Sequence, residues 1–275
     1  MEKKICIQGY EGSFHHVAAQ KYFNKNCTVF PCLTFRELIN NTQNNDNFIG
    51  LMAIENSIAG SILPNYNLLL HSNLQIIGEI YLTINQNLLV NKGVKLSQIK
   101  EVQSHYMAIL QCMDFLQKHH WKLIETEDTA LSAKLISQHK NMHAAAIGSS
   151  LAASLFNLDI ITPKIQTTKK NFTRFLILDK LSNISNLPFF NKISIYFETN
   201  HAQGILAKIL QIINKKGYNL SKLQSMPIIG SRFRYGFYID IESDNTHNFN
   251  TLYKKLEENT QFIKILGKYI NDKNK

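Results

Sequence analysis

Cysteine is scarce, with four residues in 275, and its placement leaves no room for zinc or a disulfide framework. Cys27 and Cys32 lie five apart while Cys6 and Cys112 stand alone, so no pair has metal-ligand spacing and free thiols are expected. No apolar run approaches the roughly 18 residues that cross a bilayer. Met1-Glu2-Lys3-Lys4 leads into a short strand-like segment instead of an apolar signal core. A cytoplasmic chain with no membrane partner is the expectation. Acidic residues are outnumbered, 20 against 30 lysines and arginines, for a formal charge of +10. Such an excess could serve nucleic acid, yet the lysines are dispersed. The tightest group, Lys164 with Lys169-Lys170, is accompanied by no helix-turn-helix, RNA-binding aromatic signature or Cys/His finger. No nucleic-acid partner is expected; a local positive field that draws in a small multivalent anion accounts for the same charge.

With 44% hydrophobic and 18% charged residues, the chain is an ordinary globular one, long enough for one large or two modest domains. Its first three quarters repeat a unit of short apolar strand, small or polar turn and amphipathic helix. Lys4 to Gln8 precedes Gly9-Tyr10-Glu11-Gly12-Ser13 and a helix from Phe14; Phe48 to Ile54 precedes Glu55-Asn56-Ser57 and a helix ending near Leu70. The pattern recurs around Ser104, around Asp128 and around Ser149, which predicts an α/β layer fold with Ser13, Ser61, Ser104, Asp128 and Ser149 as N-caps. Helix N-termini gathered at strand ends present unpaired N–H groups and a positive partial charge, so the ligand expected there carries carboxylates or phosphates. Ile76 to Val90 reads as one long strand running between two lobes, with the cleft at their junction.

Leu181 to Pro188 is a polar stretch, and residues 181–190 are expected to link two domains. The remaining 191–275 reads as βαββαβ, a ferredoxin-like order. Before the linker, Asn171-Phe172-Thr173-Arg174-Phe175 sits at the start of an apolar strand and sets a hydroxyl beside a permanent cation with aromatic residues on either side. Alone, such a pair is ordinarily a strand end with a solvated arginine. In this company it suits an anionic ring substrate, because arginine forks onto carboxylates.

Taken in order, Gly9-x-x-Gly12-Ser13-Phe14, Ile54-Glu55-Asn56-Ser57-x-x-Gly60, Gly78-Glu79, Ser104-His105, Asn171-Phe172-Thr173-Arg174-Phe175 and Lys264-Ile265-Leu266-Gly267 resemble prephenate dehydratases that carry a C-terminal ACT regulatory domain. The resemblance implies a bilobal catalytic domain, 1–180, like a periplasmic binding protein, with one lobe at about 1–76 plus 157–180 and the other at about 77–156, followed by the ACT domain. It implies decarboxylating dehydration of prephenate to phenylpyruvate in phenylalanine biosynthesis, with no metal or redox cofactor required. Arogenate dehydration and a non-catalytic anion or amino-acid sensor are the alternatives. Thr173 matches the family's essential threonine and is expected to hydrogen-bond the leaving hydroxyl; Arg174 is expected to clamp a carboxylate, and Glu55 is a candidate acid if burial raises its pKa. Ser13, Asn56, Ser57, Ser104 and Asn171 are expected to supply polar contacts, with Phe172 or Phe175 lining the ring. A phenylalanine effector would sit between ACT domains paired in a homodimer or homotetramer, held by Gly204, Ile205, Leu206 and Ala207 together with Leu223, Gln224, Ser225, Met226 and Pro227. Gln224 and Met226 replace a glutamate and an arginine of the family pattern, so weakened inhibition is expected. Ala53, Gln86 and Tyr106-Met107 also depart from it.

Overall fold

A computed structural model describes residues 3–180, 189–200, 202–228, 230–232 and 234–272. Residues 181–188 of the expected linker therefore lie outside the described residues. The first lobe begins with β1 (Lys4–Gln8), α1 (Phe14–Tyr22), β2 (Val29–Cys32), α2 (Phe35–Asn44), β3 (Phe48–Asn56), β4 (Gly60–Ser61), α3 (Leu63–Leu70) and β5 (Leu74–Thr83), and β11 (Phe172–Lys180) returns to it. β1 pairs in parallel with β2 and β3, while β11 lies antiparallel between β3 and β5. The second lobe holds β6 (Asn87–Val90), β7 (Glu101–His105), α4 (Tyr106–Gln111), α5 (Met113–Leu116), β8 (Lys122–Thr126), α6 (Thr129–Gln138), β9 (Ala144–Gly148), α7 (Ser150–Leu155) and β10 (Asp159–Thr162). Its sheet runs β10-β6-β9-β7-β8. β9, Ala-Ala-Ala-Ile-Gly, is buried at every position, as a strand covered on both faces must be.

The apolar segment expected as one long strand is broken. β5 stays whole in the first sheet and β6 enters the second, so the crossing lies at residues 84–86, with the return at 163–171. The lobe boundaries consequently differ from 76 and 157, and β10 belongs to the second lobe. A continuous strand would have to serve two differently oriented sheets, and Asn85, Gln86 and Asn87 supply the polar break: Gln86 N–H is taken by Gln166 Oε1 at 3.0 Å and Asn87 Nδ2 donates to Gly148 O at 3.1 Å. The pattern reading also passed over β2 and α2, although Thr34 and Glu37 carry the spacing of a capping box. Thr34 Oγ1 accepts from Glu37 N at 3.1 Å, and Glu37 Oε2 accepts from Leu33 N at 2.7 Å. Ser13, Asp128 and Ser149 cap α1, α6 and α7. Ser61 and Ser104 do not cap: Ile62 and His105 hold those positions.

The C-terminal domain is β12 (Lys192–Glu198), α8 (Ile205–Lys215), β13 (Asn219–Pro227), β14 (Tyr235–Glu242), α9 (Phe249–Glu257) and β15 (Phe262–Tyr269), with sheet order β13-β14-β12-β15. This is the ferredoxin-like arrangement. Ile193, Ile195, Phe197, Ile239 and Ile241 face α8 and α9. The alternate residues Tyr196, Tyr238 and Tyr269 join the core of the first lobe. β15 pairs in parallel with β5 where Gly267 meets Ile76, which merges both domains into one ten-stranded sheet. A Cβ at Gly267 would stand 2.2 Å from the Ile76 carbonyl oxygen, so a side chain there would push the domains apart.

Candidate active site

Between the lobes lies a cavity of about 400 Å³. The first lobe contributes Gln8, Ser13, His15, Asn56, Thr173 and Phe175 to its wall, and the second contributes Gln86, His105, Gln111, Glu127, Asp128 and Thr129. β11 and β3 place the central pair, because their register sets Thr173 opposite Asn56. Asn56 Nδ2 donates to Thr173 Oγ1 at 2.9 Å and to Asn171 Oδ1 at 2.7 Å, while its Oδ1 accepts from Ile58 N at 3.0 Å and Ala59 N at 2.9 Å. Asn171 Nδ2 continues the chain to Gln111 Oε1 at 3.0 Å, which also accepts from Gln86 Nε2 at 3.3 Å. Among the described residues the Thr173 hydroxyl thus accepts one bond, and its own proton has no protein acceptor. That proton is free to point into the cavity.

The lobes meet tightly around this space. Tyr10 OH donates to Glu127 Oε1 at 2.8 Å, and Ser149 Oγ donates to Gly12 O at 2.5 Å. Gly9 and Gly12 both have φ of +91°, and a Cβ on Gly9 would come within 2.5 Å of Asp128 Oδ2. The Gly-x-x-Gly turn therefore serves close approach of the lobes.

Electrostatically the cavity is unusual, since none of its lining residues is lysine or arginine. His15 packs edge-on against Phe175 with ring centroids 4.9 Å apart, and its Nε2 accepts from Ala53 N at 3.4 Å. Burial pushes its pKa down to about 3, so the imidazole is neutral with its proton on Nδ1. Burial raises the Asp128 carboxyl above the ordinary carboxylate value, against the Leu131 and Ala130 N–H groups that it caps. Positive potential comes instead from helix ends: α1 and α6 both begin at the cavity wall, with Ser13 and Asp128 as caps. Among the described residues no group of three or more His, Cys, Asp or Glu side chains is arranged to hold a metal ion, and no helix is long and apolar enough to cross a membrane.

Five expected site residues, Glu55, Ser57, Ser104, Phe172 and Arg174, lie away from the cavity. Side chains alternate along a strand, so Phe172 and Arg174 lie on the face of β11 opposite to Thr173 and Phe175. Arg174 is no substrate clamp in this structure: Nε donates to Glu79 Oε2 at 2.7 Å, Nη1 to Asp240 Oδ2 at 2.6 Å and Nη2 to Tyr269 OH at 3.0 Å. Glu55 is likewise outside the cavity, paired with Lys222 Nζ at 2.7 Å. Phe172 is exposed on that same face, and Ser57 Oγ accepts the Phe172 N–H at 2.9 Å. Ser104 is buried and donates to Ile147 O at 2.8 Å, which ties β7 to β9 and leaves its hydroxyl no path to the cavity. His15, Gln111, Gln86 and Asp128 were not among the expected site residues. His15 had a signal in its place on the first turn after a cap, and Asp128 in its cap at a strand end; Gln111 meets Asn171 only through the fold.

The expected effector residues separate into two places. Ile205 and Leu206 border a small groove with Thr199, Asn200, Tyr235 and Phe237. On the edge strand β13, Gln224 lies opposite Tyr238 and Met226 packs against the interdomain core, so both face the catalytic domain.

Residues 5–183 match the prephenate dehydratase family. The chain belongs to that family. It is 33% identical over 274 residues to a prephenate dehydratase of Methanocaldococcus jannaschii, covering 98% of each chain. It is 35% identical over 274 residues to a bifunctional chorismate mutase/prephenate dehydratase of Buchnera aphidicola, covering 96% of this chain and 70% of that one. A prephenate dehydratase from Arthrobacter aurescens, solved in complex with L-Phe, shares the fold with a TM-score of 0.85 at 23% identity over 97% of this chain and 89% of that one. In family terms, the cavity between the lobes is where the Asn-Phe-Thr-Arg-Phe and Glu-Asn-Ser motifs meet, each contributing only its inward-facing half.

Proposed function

We propose that this protein is a carbon–oxygen lyase that converts prephenate to phenylpyruvate, acting in the cytoplasm. The observation that carries the reading is the Thr173 hydroxyl, held by Asn56 Nδ2 at 2.9 Å on the wall of an interlobe cavity of about 400 Å³, with its proton left free for a ligand there. Prephenate is a dianion whose ring carries a hydroxyl and a carboxylate. The C–O bond breaks as the ring C–CO₂ bond breaks; the electron pair of the latter completes the aromatic ring, and the hydroxyl takes one proton to leave as water. Thr173 supplies a hydrogen bond that strengthens as charge develops on the departing oxygen. A threonine hydroxyl is too weak an acid to be the proton source. We assign that role to Asp128, the cavity carboxyl whose pKa burial raises. The carboxylates of the dianion are received by the N–H groups at the starts of α1 and α6 that the Ser13 and Asp128 caps leave free, and Phe175 offers an apolar wall with neutral His15 behind it.

Paired C-terminal domains in a homodimer or homotetramer, with phenylalanine bound between them, complete the reading, and closed twofold pairing is the common solution for such enzymes. In it, Gly204 to Ala207 of one copy meet β13 of another. Purified protein incubated with prephenate, and in parallel with arogenate, tests the function directly. Phenylpyruvate from prephenate is the expected product; turnover of arogenate alone, or of neither, overturns the assignment.

A further inference from the structure

We propose that Asp240 and Lys222, both on the sheet of the C-terminal domain, are positioning residues for the catalytic hydroxyl; the claim rests on the functional reading above. In the pairing of β11 with β3, Thr173 stands opposite Asn56 and the next pair is Arg174 opposite Glu55. The front pair builds the site. The back pair is held by the other domain: Arg174 Nη1 lies 2.6 Å from Asp240 Oδ2, and Lys222 Nζ lies 2.7 Å from Glu55 Oε1. Each strand that carries a site residue is thus gripped at the adjacent position.

Two features show why the grip matters. The register of β11 against β3 shifts between Arg174 and Phe175, while its pairing with β5 is unbroken there, so on the Asn56 side the ladder holds Thr173 only up to the ion-paired position Arg174–Glu55. Behind the strands is a second cavity of about 380 Å³, bordered by Glu55, Arg174, Lys192, Lys222 and Asp240. Close packing does not fix the back face there; directed ion pairs do. The holding groups are themselves held. Asp240 Oδ1 accepts from Ser194 Oγ at 2.5 Å, and Lys192 Nζ donates to Glu79 Oε1 at 2.9 Å, which ties the second carboxylate partner of Arg174 to the same sheet. Arg174 is 4% exposed and Asp240 6%, so the pair is not loosened by solvent. Lys222 Nζ also donates to Ser61 Oγ at 2.7 Å, fixing the turn that follows Asn56. A movement of the C-terminal sheet is therefore transmitted to Thr173 and Asn56 across one residue of backbone on each strand.

The test is steady-state kinetics with prephenate on the full chain, carried out well below each variant's melting temperature. Asp240→Asn keeps the shape and removes the charge; kcat should fall about tenfold or more with KM within about twofold, since misplacement by a fraction of an ångström acts on the chemical step. Lys222→Gln should lower kcat by about threefold to tenfold, with Lys222→Arg restoring it to within about twofold. Loss of folded protein would respond to cooling, whereas loss of positioning would not. If Asp240→Asn does not fold, the Lys222 pair of variants decides, because its ion pair is more exposed. Folded variants with kcat within twofold of wild type, or a rise in KM with kcat unchanged, overturn the proposal. A wild type without turnover removes the functional reading instead, and the positioning claim falls with it.

Discussion

Replacing Thr173 with valine exchanges the hydroxyl for a methyl of similar size and isolates the proposed hydrogen bond to the leaving oxygen. Thr173 is largely buried, and Asn56 Nδ2 also donates to Asn171 Oδ1 at 2.7 Å and to Phe172 O at 3.2 Å. Losing the Thr173 acceptor therefore leaves Asn56 satisfied, and the stability cost should be that of one neutral hydrogen bond, about 1 kcal/mol. The transition state loses more. A donor aimed at developing oxygen charge is worth about 3–4 kcal/mol, a factor of about a hundred to a thousand in kcat. KM should stay within about threefold, because the bond to ground-state hydroxyl is matched by water in the free enzyme. Phenylpyruvate formation under saturating and limiting prephenate separates the two constants, and a urea melt of the same preparation measures the stability change. A variant that folds and keeps kcat within about threefold of wild type would refute the assignment of Thr173 as the group that meets the leaving oxygen.

The other expectations concern the groups around it. Arg174→Met leaves Glu79 and Asp240 without their main cation in a buried site, and should cost about 3–5 kcal/mol in denaturant melts; a loss below about 1 kcal/mol would show that Lys192 suffices alone. Burial pushes the Asp240 carboxyl up, but Arg174 and Lys192 outweigh it and hold the pKa below the ordinary value. Its contribution is then fully present above the unfolded carboxylate pKa of about 3.9 and lost as pH falls through the lower folded value, so acid melts of Asp240→Asn should show a flatter limb there. Asp128→Asn keeps an oxygen for capping Ala130 and Leu131 and relieves a buried charge, so stability at neutral pH should hold or rise while kcat falls about a hundredfold. Since an acid works only while protonated, activity should fall as pH rises through the raised Asp128 pKa, and the variant should lack that limb.

What could be read from the chain alone was what local chemistry decides. Strand, turn and capped helix in sequence already imply the layered α/β lobes, and the βαββαβ order of the last domain follows from periodicity and turn residues, both short-range properties. Thr173, Asn56 and Ser13 could be singled out because motif and strand end coincide, and alternation already dictates that Thr173 and Arg174 point to opposite faces. Which face would be covered, and by what, depends on residues far away in the chain. Glu79, Asp240 and Tyr269 reach Arg174 from three different strands, two domains contributing, with Lys192 bonded to Glu79 from a fourth, and turn an apparent substrate clamp into an internal brace. Gln111 reaches Asn171 across the lobes in the same way. The split of the long apolar segment into β5 and β6 was hidden because apolar alternation looks the same on either side of a crossing. Hydrophobic pattern reports burial but not against which partner; long-range pairing, register and the docking of the C-terminal sheet at Gly267 supplied that part.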